Sequence, residues 1–504
     1  MARTLRIYYT SDTHGYLAPV DYATGKRADV GLVNCAAGFE RDGNCLVMDG
    51  GDVLQGSPFT YFLHERHEDE GAICARLMNL CGYQFVTLGN HDFNYGRENL
   101  EQYLRTLDAR CLCANVEGLP GVEKTALVTL ENGLRVGLTG AVTPFVNMWE
   151  KPENLRGITI TEPVPAARAA LELLRAQGAE LTVCIYHGGY ENDLESGEQL
   201  SDSGENQAWE LCRDLDFDIL LTGHQHVTVE DRCLFGTYTC QPGNKARSYI
   251  RMDVSVENGC VTARSKLCPA GGTTLPEAEA ALADLNAETA AWLDTPVGHL
   301  DTALTADTPL RMAKNGSLIA NFFNQVQLEG SGAELSATSL GNEIKGFDRD
   351  VTIRDVVATY IYPNTLKTLR VDRAVLKTAL ERCASYFDFD ANGELCVSES
   401  FLKPKVQHYY FDYFSGLQVT MELRRPVGER IVSLRYQGEE LAADRSLTLC
   451  LNDYRVTGAG GYEAYKRCEI VRDQPTEIVE LIMDYITRHG DIAVDRTKWY
   501  ELVY

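Results

Sequence analysis

The chain has 504 residues, enough for two or more domains with ample core, and its 44% apolar and 24% charged content is that of an ordinary globular protein. A formal net charge of −25 excludes a binder of nucleic-acid polymers, which needs a basic face. It leaves a small phosphate ester open as substrate, because metal ions or a few Lys and Arg side chains reverse the field inside one cleft.

The 16 cysteines include no CxxC pair, and Cys74, Cys184 and Cys450 lie in apolar runs where a thiol packs as a small hydrophobe. Cysteines without a pattern suit a reducing compartment. The chain opens MARTLRIYYTSD, a strand with no signal-like apolar region, and no run reaches the length of a membrane span. The expectation is a cytoplasmic protein with no membrane partner; a secreted or cell-surface one is the alternative if a signal peptide has been lost.

In chain order, residues 5–10 (LRIYYT) read as a strand that ends at Asp12 and His14. Residues i and i+2 of extended chain face the same way, so this carboxylate and imidazole form a ready metal chelate. Residues 45–49 (CLVMD) form a second strand, which runs into Gly50, Gly51 and Asp52. Residues 84–88 (QFVTL) form a third, followed by Gly89, Asn90, His91 and Asp92. A fourth, 181–186 (LTVCIY), delivers His187, and a fifth, 217–221 (FDILL), delivers His224 and His226. Helical patterns at 72–80, 100–107 and 165–177 separate these strands, which makes the first half α/β with crossovers.

Five strand ends therefore carry polar groups, and five of the ten histidines sit there. The set is too large for one ion and about right for two. Paired ions about 4 Å apart clamp the attacking and leaving oxygens of a phosphoryl transfer, and an Asp carboxylate can bridge them. Mixed nitrogen and oxygen ligands suit manganese, zinc, iron or cobalt without choosing among them.

The order DxH, GGD, GNHD, HGG, GHxH resembles the calcineurin-like metallophosphoesterase superfamily. The resemblance implies an N-terminal four-layer α/β/β/α sandwich and two divalent metal ions. Asp12, His14, Asp52 and His226 would hold the first ion, and Asp52 would bridge to a second completed by Asn90, His187 and His224. His91 would be the catalytic histidine, with Asp92 as its candidate partner, and a hydroxide between the ions would attack phosphorus in line.

After about residue 268 the pattern changes. Thr274-Leu275-Pro276-Glu277 reads as a capping box, and 278–293 as one helix that either joins two domains or is an ordinary helix of one of them. The expected boundaries are 1–272 for the phosphoesterase domain, 273–298 for the connector and 299–504 for a C-terminal α+β substrate-binding domain.

Four segments, QGSP at 55–58, HDFNYG at 91–96, YPNTL at 362–366 and NDYR at 452–455, resemble the 5'-nucleotidase family, and within it the 2',3'-cyclic-nucleotide 2'-phosphodiesterase/3'-nucleotidase branch. Two departures from 5'-nucleotidases point to that branch. Position 94, where those enzymes carry Asp as the partner of the catalytic histidine, is Asn94, and their GGDGY-like loop here reads Gly458-Ala459-Gly460-Gly461-Tyr462 without an Asp. The implied substrates are 2',3'-cyclic nucleotides and 3'-nucleotides. A 5'-nucleotidase of the same fold and a catalytically dead nucleotide-binding protein are the alternatives.

Aromatic residues are dense at 408–416 (HYYFDYFSG), and two facing rings can sandwich a nucleobase. The resemblance makes Phe411 and Tyr454 the stacking pair, with Tyr410 or Tyr413 replacing Phe411 if the register shifts. Asn452 and Arg455 join them as expected substrate contacts.

Overall fold

The computed structural model describes residues 2–504 except 363, so Pro363 of the YPNTL segment lies outside the described residues. The chain divides into two compact units, Met1–Ala290 and Ala291–Tyr504.

The first unit holds two sheets face to face. One has seven strands in the order Cys260–Pro269, Ser248–Glu257, Arg3–Thr10, Cys45–Asp49, Phe85–Val86, Arg110–Leu112, Val122–Glu123. The other has six: Thr228–Leu234, Thr237–Pro242, Ile219–Thr222, Leu181–His187, Arg135–Val142, Thr125–Thr129. Alternation decides which side chains fill the space between them. Leu5, Ile7 and Tyr9 of the first strand meet Leu138, Val183, Ile185 and Leu221 of the other sheet in one buried core. Tyr8 points the opposite way and stacks on Phe39 at 5.1 Å.

Strands Arg3–Thr10, Cys45–Asp49 and Phe85–Val86 are parallel neighbours, as are Leu181–His187 and Ile219–Thr222 in the second sheet. Helices make the crossovers, including Glu70–Leu80, Gly96–Thr106 and Pro163–Ala176. The last buries Ala167, Leu171 and Leu174, the stripe expected of a helix lying on a sheet. All five predicted strands therefore end on the same side of the two sheets.

The third predicted strand is shorter than its apolar run: only Phe85 and Val86 pair as strand. Thr87 still donates to the Asp49 carbonyl at 3.0 Å, but Gly89 N–H has already turned to the Asp92 carboxylate. Asn90–Phe93 is a 3-10 turn, not extended chain.

The division between units falls inside the helix Pro276–Leu293, not at its ends. The helix is less a free connector than a part of the first unit: Asn286 accepts from Tyr22 Oη at 3.4 Å, and Glu279 pairs with Arg27. The helix begins at Pro276, and the Thr274 hydroxyl before it donates to Glu279.

The second unit is α+β. Its main sheet runs Asp412–Ser415, Leu335–Ser339, Ser446–Asn452, Thr365–Asp372, Glu469–Glu477, with helices Leu318–Ser331, Arg373–Ala384 and Ile478–His489. Among the described residues no helix is long and apolar enough to cross a membrane.

Candidate metal centre

Asp12, His14, Asp52, Asn90 and His91 follow three adjacent strands of the seven-stranded sheet, while His187 ends one strand of the six-stranded sheet and His224 and His226 follow its neighbour. The backbone works to aim them. Asp12 (φ 54°), His14 (49°), Asp52 (60°), His224 (71°) and His226 (59°) all lie in the left-handed region. They are five of the eleven described non-glycine residues with positive φ. Such strain costs energy at each position and persists where the surroundings impose it, commonly at functional sites.

Close approach explains two glycines. A Cβ on Gly89 would lie 2.1 Å from Asp52 Oδ1, and one on Gly56 would lie 2.8 Å from His14 Nδ1. The GGD and GNHD turns thus touch backbone to side chain, and the QGSP segment passes directly behind His14.

The hydrogen bonds fix which ring nitrogen each histidine presents. His14 Nδ1 donates to the Gln55 carbonyl at 3.0 Å and His187 Nδ1 to the Gly50 carbonyl at 2.6 Å, so both turn Nε2 inward. His14 Nε2 and His226 Nε2 stand 2.8 Å apart, and His226 Nε2 is 3.5 Å from Asp12 Oδ1. His224 is reversed: Nδ1 faces Asn90 Oδ1 at 2.8 Å, and Nε2 donates to Glu205 Oε1 at 2.8 Å. Trp149 stacks on the same ring at 5.6 Å.

Two clusters of ligand atoms result, each within 4.8 Å: Asp12, His14, His226 and Asp12, Asp52, His187. Asp52 Oδ2 and His187 Nε2 are buried without a hydrogen-bond partner, although they face each other across 3.3 Å. Buried polar atoms rarely go unpaired, so this donor set fits cations.

The electrostatics agree. Burial acts to raise Asp12, but a hydrogen bond from His226 and the charge of His187 outweigh it and hold the carboxyl below its usual range. Burial likewise acts on Asp52, and His187 and His91 overcome it. Burial pushes His14 down to about 3, against Asp52, which leaves a neutral ligand nitrogen. For His187 burial is outweighed by Asp52 and Asp12, and its pKa rises to about 10. The pocket calls for positive charge and, with protein groups alone, takes it from a proton.

Asp92 requires a correction. Its carboxylate accepts Asp52 N–H at 2.9 Å, Val53 N–H at 2.8 Å, Leu54 N–H at 3.0 Å and Gly89 N–H at 2.8 Å. It is 2% exposed and fully used as a clamp between two loops, so it is not the partner of His91. His91 Nδ1 instead meets Asn94 Oδ1 at 2.7 Å.

The expected substrate contacts of the second unit divide. Phe411 is 2% exposed and packs on Tyr386, Phe387 and Tyr413, so it belongs to the core and offers no free face. Tyr413 is buried in the Asp412–Ser415 strand, where its carbonyl accepts from Asn324 at 2.8 Å. Arg455, 1% exposed, is spent on the Asp412 carboxylate (2.8 Å) and the carbonyls of Ala459 and Tyr409, which rules it out as a substrate contact. Asn452 caps the short helix Asp453–Val456 by accepting from Arg455 N–H at 2.7 Å, so its oxygen is occupied too. Tyr410 is buried, with its hydroxyl 3.3 Å from that of Tyr454. Tyr454 is half-buried, and so is Tyr409, which the sequence reading passed over; Tyr362 neighbours both.

The calcineurin-like phosphoesterase family profile matches residues 5–228, and that of the 5'-nucleotidase C-terminal domain matches residues 296–467. A crystal structure of a candidate 5'-nucleotidase from Staphylococcus aureus, in complex with alpha-ketoglutarate, superposes with a TM-score of 0.91 at 31% identity, covering 100% of both chains. The trifunctional nucleotide phosphoesterase protein YfkN of Bacillus subtilis is 23% identical over 96% of this chain, which spans only 38% of that relative's length. The 2',3'-cyclic-nucleotide 2'-phosphodiesterase/3'-nucleotidase of Haemophilus influenzae is 24% identical over 96% of this chain and 84% of its own.

Proposed function

The chain belongs to the calcineurin-like phosphoesterases that carry a 5'-nucleotidase C-terminal domain, and from that premise we propose that it hydrolyses 2',3'-cyclic nucleotides and 3'-nucleotides to nucleosides and phosphate. The observation that carries this specificity is the pairing of His91 Nδ1 with Asn94 Oδ1, an amide where 5'-nucleotidases carry a carboxylate. The turn at 458–462 supports it. Its Ala459 and Gly460 carbonyls are committed to Arg455 and Arg382, and it offers no carboxylate to a nucleoside. The name of the Haemophilus influenzae relative, aligned over 96% of this chain, points the same way.

Members of the superfamily use a dinuclear metal centre, and the donor set fits one. In this reading Asp12, His14, Asp52 and His226 would hold one ion, and Asp52, Asn90, His187 and His224 the other. Bound divalent ions would supply Lewis acidity at the phosphoryl oxygens and ready water for attack. The chain's own contribution is placement and proton transfer. Asp52 Oδ1 accepts His91 N–H at 2.7 Å, which ties the catalytic histidine to the bridging carboxylate. With Nδ1 taken by Asn94, Nε2 is the nitrogen from which His91 delivers a proton to the leaving oxygen. Tyr409 and Tyr454 present partly exposed rings suited to stacking a nucleobase. The 16 free thiols support a reducing, cytoplasmic setting.

A 5'-nucleotidase is the second reading, favoured by the Staphylococcus aureus candidate at 31% identity. Turnover of 2',3'-cyclic AMP, 3'-AMP and 5'-AMP by manganese-loaded protein separates the two. The expected kcat/KM is higher for the first two by about tenfold or more. A preference for 5'-AMP overturns the specificity and leaves the fold and centre standing.

A further inference from the structure

Asn94 does not end the chain of contacts behind His91. Its amide Nδ2 donates to Glu150 Oε2 at 2.6 Å. Glu150 follows the short helix Val146–Trp149 and is mostly buried by its neighbours. Its other oxygen accepts Asn154 Nδ2 at 2.9 Å and Lys151 N–H at 2.7 Å. Asn154 Nδ2 also donates to the Asn94 carbonyl at 3.0 Å, which pins the backbone of the amide that it flanks. Each of these contacts gives Glu150 an N–H donor, the company of an ionised carboxylate.

The order of donors settles the histidine. A carboxylate accepts only, so Asn94 must turn Nδ2 toward Glu150 and Oδ1 toward His91. An amide oxygen also accepts only, so His91 Nδ1 must carry the proton, and Nε2 is left for the reacting oxygen. We infer that Glu150 is a positioning residue for His91, acting through Asn94, so that a carboxylate one side chain removed orients the imidazole. The inference rests on the proposed role of His91. It differs from a direct histidine–carboxylate pair in one respect: the negative charge is held away from the ring while its orienting effect is passed on.

The relay makes an unusual set of variants informative. In Glu150→Gln the side-chain oxygen still serves Lys151 and Asn154, so the new amide nitrogen faces Asn94. Asn94 must then flip and offer its nitrogen to His91, which forces the wrong tautomer. In Asn94→Asp combined with Glu150→Gln, the new carboxylate accepts from both His91 and the new amide, and every donor again meets an acceptor.

The test measures kcat and KM on 3'-AMP and on p-nitrophenyl phosphate, with bound manganese counted for each protein. If the protein prefers 5'-AMP, that ester replaces 3'-AMP, since its alkoxide is an equally poor leaving group. Glu150→Gln is expected to lower kcat on the nucleotide by about 100-fold, with KM and metal content little changed. The loss on the aryl ester should be less than about tenfold, because nitrophenolate leaves with little help from an acid. The double variant should recover at least about tenfold of the nucleotide rate over Glu150→Gln alone. Equal losses on both esters, or no recovery in the double variant, overturn the relay. His91→Ala serves as the reference: if it leaves turnover intact, the role of His91 fails, whereas its collapse beside a near-normal Glu150→Gln rejects the relay alone.

Discussion

Asp92 holds Asp52 by the backbone: its Oδ2 accepts the Asp52 N–H at 2.9 Å, while the Asp52 side chain remains turned toward the histidines. The same carboxylate collects Gly89, Val53 and Leu54, so the loops that present Asp52 and His91 are joined through one residue. Burial and the nearby Asp52 push the Asp92 carboxyl up, and the N–H groups of Gly89, Leu54 and Val53 oppose them.

Asp92→Asn is therefore expected to damage the centre without touching a ligand. One oxygen becomes an NH2 group facing buried N–H donors, at a cost of about 2 kcal/mol. Thermal unfolding should shift down by roughly 5 °C. Metal content should fall in parallel because Asp52 loses its support. An unchanged midpoint with two bound ions would contradict the clamp.

Glu205 fixes His224 from behind, taking its Nε2 proton at 2.8 Å and leaving Nδ1 for the site. Removing such a carboxylate weakens metal binding about 10–100-fold. Glu205→Ala should then lose affinity for one ion while the Asp12, His14, His226 cluster keeps the other. Manganese titration followed by dialysis and elemental analysis reads this directly. Two tightly held ions in the variant would refute it.

The sequence made the cluster of polar side chains legible because each ends or follows an apolar strand within a few residues, and parallel strands end on one side. The links from Asn94 to Glu150 and from His224 to Glu205 were not legible. Asn94 and Glu150 are 56 residues apart, and Glu205 and His224 are 19 apart across a loop, with no periodic pattern to link either pair. Phe411 failed for a different reason. The resemblance assigned it a free ring, but His408–Tyr410 is a 3-10 turn and the strand begins only at Asp412, which puts Phe411 inside and leaves Tyr409 partly outside.

Asp49 gives a pH signature. Burial raises its carboxyl to about 8, against hydrogen bonds from Thr10 at 2.6 Å and Gly51 N–H at 2.9 Å. Its pKa in the unfolded chain is about 4. A folded pKa above the unfolded one means that the folded state binds the extra proton, so this contribution is complete below about pH 4 and is lost as pH rises through about 8. Asp49→Asn removes the titration and keeps an acceptor for Gly51. Its melting temperature relative to the native protein should climb between pH 5 and pH 9. A difference independent of pH would show that Asp49 is ionised in the fold.

The aromatic residues of the second unit separate stability from binding. Tyr454 and Tyr409 are partly exposed, and stacking on a base contributes about 1–3 kcal/mol per ring. Tyr454→Ala and Tyr409→Ala should each raise KM for the nucleotide by about tenfold and leave unfolding almost unchanged. Phe411 sits among Tyr386, Phe387, Tyr413 and Tyr500, with 2% of its surface exposed. Phe411→Ala opens a cavity there, and its cost of about 3–5 kcal/mol falls on folding. Calorimetry should resolve a lowered transition for that variant, while KM of the folded fraction stays near the native value. The reverse pattern, a stable Phe411→Ala protein with a weakened KM, would restore Phe411 as a substrate contact and displace Tyr409.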